Sequence, residues 1–273
     1  MSFGFLFSIS VVAGAVGALS GMGGGVVLVP ALTFLSIDIK QAIAIGNLSA
    51  VAVSTAAASD YVRRHMPNLK TTAFLEVFAV VGALVGALIA VVSEQRILFL
   101  LYGATLLIFS GMLWLRRREE WSPVLEQDEL SKRLDLKGSY YDHSEGRTIA
   151  YKGGRAPLAG VLMCVAGMTS GLLGIGGSAL AVLVGDSVIG LPPKVSLTTS
   201  NLIIGVMALA GANVYLEAGL INPNLVAPAI LGTMLGSLVG SKLLVHLPNP
   251  VARAIFLAVF ILLGSEMLFH GLR

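Results

Sequence analysis

The sequence predicts an all-α membrane protein built from two similar halves, and three observations lead to this prediction. Eight apolar stretches are each near or above the roughly 20 residues that a helix needs to cross about 30 Å of hydrocarbon. A pattern of residues in the first half recurs 153 residues later. Consecutive glycines interrupt the first apolar stretch of each half, at 23–25 and 176–177.

The composition is typical of a membrane protein. Of the 273 residues, 56% are hydrophobic and 12% are charged, whereas soluble domains carry about 25% charged residues. The single cysteine, Cys164, excludes an internal disulfide and a cysteine-only metal site, and we expect neither a metal nor a cofactor. Basic loops that set membrane orientation account for the net charge of +3, so we expect the lipid bilayer, and no nucleic acid, as a partner. The apolar stretches are 3–37, 41–59, 77–93, 97–115, 156–185, 195–216, 218–241 and 254–272.

The two halves carry matching residues in a common register. AGAVGALSGMGG (13–24) and AGMTSGLLGIGG (166–177) coincide at six positions, Gly21 and Gly174 among them. After one inserted residue, polar residues also match, which chance similarity between apolar sequences does not readily produce. We therefore predict two homologous repeats, 1–115 and 156–273, of four apolar segments each, an organisation typical of secondary transporters. The matched polar pairs are Lys40/Lys194, Asn47/Asn201, Tyr61/Tyr215 and Asn68/Asn222.

The stretch 116–155 between the halves is the only long polar part of the chain. It opens with Arg116, Arg117 and Arg118, as expected where a helix leaves the membrane. LKGSYYDHSEGRTIAYK (136–152) places strand-forming residues on either side of a turn, which predicts a small β-hairpin. We interpret this linker as a cytoplasmic tether between the halves; the alternative is a regulatory or partner-docking element.

Whether the halves are parallel or inverted depends on the course of the glycine-broken segment. If that segment enters the membrane and returns, each half keeps three crossings and the halves are inverted; if it crosses, the halves are parallel. The basic residues favour inversion, because all but three of the 18 Lys and Arg residues then lie on the same side of the membrane as the linker. Arg64 is among those on the linker side. In both arrangements the linker is cytoplasmic, in a multi-pass protein of the cytoplasmic membrane. The three exceptions are Lys40, Arg96 and Arg273.

The glycine clusters predict interruptions of a helix within the membrane. Backbone groups exposed to lipid cost several kcal/mol each, so a break is tolerated only against protein or a wet cavity. A break also creates a half-helix N-terminus, whose unpaired amides and partial positive charge bind oxyanions without a lysine in hydrocarbon. Helix packing is the alternative, and we favour it for Gly82-x-x-x-Gly86. The predicted anion-binding residues at the breaks are Gly23, Gly24, Gly25, Gly176, Gly177 and Ser178.

The second segment of each half, 42–57 and 195–205, is unusually polar for a membrane helix. Neutral hydroxyls and amides can donate to an anion, and their alternative roles are bonds between helices or within their own helix. Lys40 and Lys194 begin these segments and either snorkel to the interface or attract anions into a vestibule. Glu76 is a candidate for a coupled proton or an interfacial carboxylate. The predicted substrate-binding residues here are Asn47, Ser49, Thr199, Ser200 and Asn201.

No motif of an enzyme has the structural context that its chemistry requires. GIGGSA (174–179) matches G-x-G-x-x-A, but no βαβ unit surrounds it. An intramembrane hydrolase needs a base beside a nucleophilic serine, and the four histidines lie in loops or near the chain end. We therefore predict that the protein is not an enzyme.

The glycine and amide motifs, in this order and doubled, resemble those of the TauE/SafE family of sulfite exporters. They are SGMGGGVVLVPAL (20–32) with AIGNLSAV (44–51), and SGLLGIGGSAL (170–180) with LTTSNLIIG (197–205). The resemblance implies movement of sulfur-containing anions such as sulfite, thiosulfate and sulfoacetate across the cytoplasmic membrane. In the second half Ser178 replaces the third glycine and Leu183 replaces the proline that matches Pro30, so the half-sites differ.

The residues and the resemblance together predict a secondary transporter for a small sulfur-containing anion that works by alternating access, with the paired breaks meeting near the bilayer centre. A coupled proton or another ion is compatible with the sequence, which indicates no particular oligomeric state. The alternatives are an anion-selective channel with the same lining, a permease for another small organic anion, and a membrane scaffold or sensor that works through the linker.

Overall fold

The computed structural model describes residues 3–20, 23–63, 66–115, 127–142, 146–244 and 249–272. Gly21, Arg64, Arg116–Arg118 and Arg273 from the sequence analysis lie outside these ranges, as does the side chain of Ser178. Six helices in the described part are long and apolar enough to cross a membrane, in agreement with an all-α membrane protein. The helices are α1 (Phe3–Ser20), α2 (Gly25–Phe34), α3 (Ile39–Arg63), α4 (Leu69–Val92), α5 (Gln95–Leu115), α6 (Glu129–Arg133), α7 (Ala156–Leu173), α8 (Ser178–Leu183), α9 (Pro193–Glu217), α10 (Pro223–Leu244) and α11 (Asn249–Leu272).

Local sequence signals account for several of the helix ends. The side chain of Asn68 accepts a hydrogen bond from the backbone amide of Thr71 at 3.0 Å and caps α4. Pro157 and Pro193 occupy the first turns of α7 and α9, where a missing N–H removes no helical bond. At the end of α8 the helix widens into one π-helical stretch, Val184–Ile189.

The helix is interrupted at both glycine clusters, and in each case the chain doubles back. A Cβ built on Gly17 would lie 2.5 Å from the carbonyl carbon of Gly23, so the chain after α1 returns along α1. A Cβ on Gly177 would overlap the carbonyl oxygen of Ala166, two turns before the end of α7. The backbone amide of Gly154, just before α7, bonds the carbonyl of Ile189 at 3.0 Å. The two ends of the segment 156–189 therefore lie next to each other.

Two helix pairs run parallel and are packed through glycines. Along α1 and α10, Gly236 lies against the carbonyl of Val11 and Gly240 against that of Ala15. Along α7 and α4, Gly167 and Gly171 lie against the backbone of Ala79 and Ala83 in the same manner. The small residues let these backbones touch, as in many membrane helix pairs.

The two remaining major pairs are antiparallel. On α3 and α9, Ser54 Oγ donates to the carbonyl of Asn201, while Asn47 lies against Gly211. On α5 and α11, Gly103 packs against Gly264, while Arg96 Nε donates to the carbonyl of Gly271. Residue numbers therefore rise along one helix as they fall along the other in both pairs.

A small β-hairpin lies between α6 and α7 in the chain. Strands β1 (Lys137–Asp142) and β2 (Arg147–Lys152) pair antiparallel, with Tyr140 opposite Ile149. Asn68, ahead of α4, donates to the hydroxyl of Tyr151 at 3.2 Å, and Lys70 forms an ion pair with Asp135. The hairpin therefore packs on the N-terminal end of α4.

Candidate functional site

The two interrupted segments meet in the interior of the molecule. A Cβ on Gly25, the first residue of α2, would overlap the carbonyl oxygen of Gly174, which ends α7. A Cβ on Gly46 of α3 would lie 2.9 Å from the same oxygen. All three residues are buried. Only glycine leaves room for this approach of three backbones.

The first break presents a helix N-terminus that no side chain of the described residues caps. Gly24 is the N-cap of α2 and makes no side-chain hydrogen bond there, and Gly23 before it has φ of 75°. The amides of the first turn of a helix lack intrahelical partners and carry partial positive charge. Gly23, Gly24 and Gly25 are all buried, so these donors lie in the protein interior.

A serine hydroxyl lies beside this N-terminus. The Cβ of Ser49, on α3, lies 3.7 Å from the position of a Cβ on Gly24. Ser49 is 0% exposed, and its Oγ has no hydrogen-bond partner among the described residues. A buried hydroxyl without a partner costs about 1–3 kcal/mol, so its presence calls for a ligand or another reason.

The second break repeats the arrangement with different residues. Gly176 and Gly177 are buried, and Gly177, with φ of 57°, is the N-cap of α8 without a side-chain hydrogen bond. The Cβ of Ser170, on α7, lies 3.1 Å from the position of a Cβ on Gly177. Its Oγ is buried and, within the described ranges, unpartnered. The hydroxyl therefore comes from α7 here and from α3 at the first break.

Asn47 lies on a different side of α3 from Ser49. The Oδ1 of Asn47 is 3.6 Å from the position of a Cβ on Gly211 in α9, and the Cα of Gly171 is 3.3 Å from that position. Ser49 instead lies against Gly24. Two residues separated by one other residue point about 200° apart on a helix, so these side chains do not share one shell.

The three predicted site residues of α9, Thr199, Ser200 and Asn201, also differ in what they contact. The hydroxyl of Thr199 accepts a hydrogen bond from the amide of Asn68 at 3.1 Å, so it holds the loop before α4. Ser200 is buried, and Asn201 is 7% exposed with its backbone carbonyl bonded to Ser54. Asn201 therefore lies at the packing surface between α9 and α3.

The charged candidates lie at helix ends or at partly exposed positions. Lys40 donates from Nζ to the carbonyl of Val91 at 2.6 Å, at the C-terminal end of α4, where a cation is favoured by the helix dipole. Lys194 is exposed in the first turn of α9. Glu76 is partly exposed on α4. No group of three His, Cys, Asp or Glu side chains in the described ranges is placed to hold a metal ion.

Two buried tyrosines hold the breaks in place, and the sequence analysis missed both. Tyr102 of α5 donates to the carbonyl of Gly25 at 3.0 Å and lies 3.4 Å from that of Val26. Tyr215 of α9 donates to the carbonyl of Gly171 at 2.8 Å. The match of Tyr61 with Tyr215 was a signal for the second, but only the fold shows which carbonyl each hydroxyl reaches.

Comparison with known proteins identifies the family of the chain. The family model described as "Sulfite exporter TauE/SafE" matches residues 6–267. The chain belongs to the TauE/SafE sulfite exporter family. This TauE/SafE protein is 26% identical over 280 residues to "Probable membrane transporter protein YunE" of Bacillus subtilis (strain 168), an alignment that covers 100% of the chain and 99% of that relative. No solved structure matches the chain significantly. The family assignment makes the protein a membrane transporter, as the resemblance predicted.

Proposed function

We propose that the protein is a secondary transporter that moves small sulfur-containing anions, of the sulfite, thiosulfate and sulfonate class, across the cytoplasmic membrane. The observation that carries this proposal is the buried N-terminus of α2, which lacks a side-chain cap in the described residues. The unpartnered hydroxyl of Ser49 lies beside it. Amide and hydroxyl donors of this kind bind an oxyanion without burying a positive side chain.

The anion site is centred on Gly23–Gly25 and Ser49. The N-terminus of α8, at Gly176–Ser178, with Ser170 beside it, forms the second half of the site, since Gly25 and Gly174 touch. Ser200 and Asn201 complete its shell from α9, and Lys40 and Lys194 draw anions towards its two entrances. Thr199 is a weaker candidate, because its hydroxyl already accepts from the Asn68 amide.

Alternating access is the mechanism that the packing favours over a channel. The glycines of both breaks and Ser49 are buried, and the backbones at Gly25 and Gly174 are in contact. A channel needs a continuous wet path, whereas a carrier opens its site to one side at a time. Movement of one half against the other would expose this site alternately.

The halves 1–115 and 156–273 act as inverted repeats in this proposal, joined by the cytoplasmic linker 116–155. If a two-fold axis along the membrane normal related them, α3 and α9 would run parallel. Their antiparallel packing, and that of α5 with α11, supports an axis in the membrane plane. The proximity of the two ends of 156–189 supports three crossings in each half.

Counterflow in proteoliposomes tests the transport mechanism. Liposomes are loaded with unlabelled sulfite, thiosulfate, sulfate, taurine or sulfoacetate in parallel, and entry of the labelled anion is followed. We expect trans-acceleration of the labelled anion for at least one sulfur anion. Flux without trans-acceleration would favour the channel, and no flux of any of the five sulfur compounds would contradict the substrate class.

A tag on the N-terminus tests the orientation of the repeats. In intact cells the inverted arrangement predicts that an N-terminal tag is accessible from outside, while a cysteine introduced at Lys132 in a Cys164→Ser background is protected. A protected N-terminal tag would contradict inversion.

A further inference from the structure

The C-terminal end of α7 presents oxygen acceptors where the N-terminus of α2 presents donors. The last four carbonyls of an α-helix lack amide partners within the helix, and that end carries partial negative charge. Of these four in α7, Ser170 O accepts from Gly174 N and Gly171 O accepts from Tyr215. The carbonyls of Leu172 and Leu173 are the remaining acceptors at this end.

Asn47 adds a side-chain acceptor to the same place. Its Nδ2 donates to the carbonyl of Ile43 at 3.3 Å, which fixes the orientation of the amide, because a carbonyl can pair only with the NH₂ group. Oδ1, an acceptor, is therefore the atom of this amide that has no partner among the residues that the structure describes, and Asn47 is 0% exposed.

The turn of α3 that carries Asn47 packs on the last turn of α7. A Cβ on Gly174 would lie 2.6 Å from the carbonyl oxygen of Ile43. A Cβ built on Gly211 of α9 would lie 3.6 Å from Asn47 Oδ1 and 3.3 Å from the Cα of Gly171. The amide oxygen of Asn47 therefore lies beside the last turn of α7, in the region between α3, α7 and α9.

We infer that this region, formed by Asn47 Oδ1 and the carbonyls at the end of α7, binds Na⁺. Oxygen ligands suit a hard cation, and broken helices of transporters use their C-terminal ends and free carbonyls in this way. The ligands are neutral, whereas Ca²⁺ and Mg²⁺ sites rely on carboxylates, so the ion is monovalent. An asparagine amide does not titrate, so the ion is not a proton.

The cation site adjoins the proposed anion site. Gly25, at the start of α2, touches Gly174, at the end of α7, so a bound anion and a bound Na⁺ would lie on opposite sides of this contact. Each ion lowers the cost of burying the other, which couples their movement. Coupling depends on the transport function proposed above, but Na⁺ binding does not.

Binding of ²²Na⁺ to the purified full-length protein in detergent tests the site without reference to transport. We expect saturable binding in the wild type and binding weakened on the order of tenfold or more in Asn47→Leu. Asn47→Asp keeps the size and adds a negative charge, so it should bind Na⁺ more tightly. Gly111→Ala is the control and should keep the wild-type affinity for Na⁺, because a Cβ there meets nothing within 4 Å.

Several results would overturn the inference. These are the absence of saturable ²²Na⁺ binding in the wild type, unchanged affinity in Asn47→Leu, or weaker binding in Asn47→Asp. In proteoliposomes, sulfite flux that is equal with Na⁺ and with choline would remove the coupling while the anion transport stands. Saturable Na⁺ binding without flux of any anion would retain the cation site and contradict the transport proposal instead.

Discussion

The two interrupted helix pairs, α1–α2 and α7–α8, differ in the residues that form and hold them. The returning helix of the first is regular over its 10 residues and contains Pro30. That of the second has six α-helical residues and continues as a π-helical stretch to Ile189. The first pair accepts a hydrogen bond from Tyr102 of α5. The end of the second, at Ile189, accepts one from the amide of Gly154 in the linker.

Pro30 explains why the first pair needs a tyrosine. A proline has no N–H, so the carbonyl four residues earlier, that of Val26, loses its helical donor. The hydroxyl of Tyr102 lies 3.4 Å from this carbonyl and bonds its neighbour, that of Gly25. In the predicted repeat, Pro30 corresponds to Leu183 and Tyr102 to Phe256, so neither the proline nor the tyrosine hydroxyl recurs in the second half. The two breaks are therefore held by different residues.

Filling the contact between the two interrupted pairs should have the largest effect. In Gly25→Val the new side chain would overlap the carbonyl of Gly174, so we expect a loss of about 3 kcal/mol or more and no transport. Thermal unfolding in detergent and counterflow measure the two effects. Gly111→Ala is the control, because a Cβ there meets nothing within 4 Å. A Gly25→Val protein with wild-type Tm would show that the breaks do not touch.

A matched pair of substitutions tests whether the scaffolds of the two halves are equivalent. A Cβ on Gly82 would overlap the carbonyl of Cys164, and one on Gly236 would overlap that of Val11. We expect Gly82→Ala and Gly236→Ala each to destabilise the protein by about 1–3 kcal/mol, and to a similar extent. Thermal unfolding measures both, and a large effect at one site only would contradict the equivalence.

A double-mutant cycle tests the pairing of Tyr102 with Pro30. Tyr102→Phe should cost about 1 kcal/mol in the wild type, because the hydrogen bond to the Gly25 carbonyl is buried. In Pro30→Ala the new N–H can bond the Val26 carbonyl, so the same change should cost less there. Denaturant unfolding gives the four free energies, and equal costs in both backgrounds would remove Pro30 from the explanation.

Acid should loosen the linker hairpin by a smaller amount. Hydrogen bonds from Lys70 and then Lys137 hold the pKa of Asp135 below its ordinary value of 3.8. A lowered pKa means that this stabilisation is fully present above the ordinary pKa and is lost as the pH falls through the lower, folded value. The protection of the β1 and β2 amides, which is how much more slowly they exchange than those of an unfolded chain at the same pH, should therefore fall in acid, and less so in Asp135→Asn. Identical pH dependence in both proteins would contradict this role.

Short-range signals made the helix breaks predictable from the sequence. Three consecutive glycines point in three directions around a helix, so packing against one neighbouring helix does not account for Gly23–Gly25. The structure interrupts the helix at both clusters. The apolar length of the segments likewise predicted the spanning helices, because bilayer thickness fixes that length.

The arrangement of the polar side chains was less predictable. Asn47 and Ser49 are two residues apart on α3, and their separation around the helix follows from its 3.6-residue period. Which neighbours they face, and that Tyr102 reaches Gly25, depends on how distant helices pack. Thr199 likewise has its partner, Asn68, 131 residues away.

The affinity of the purified protein for a labelled sulfur anion, measured in wild type, Ser49→Ala and Ser54→Ala, tests the central claim most directly. Ser54 lies on the same helix but bonds the Asn201 carbonyl, so its removal controls for the loss of a buried hydroxyl. The account predicts binding about tenfold weaker in Ser49→Ala, the equivalent of about 1.4 kcal/mol for a hydroxyl that donates to an anion, and no change in Ser54→Ala. Equal affinities in the wild type and Ser49→Ala would contradict an anion site at the start of α2.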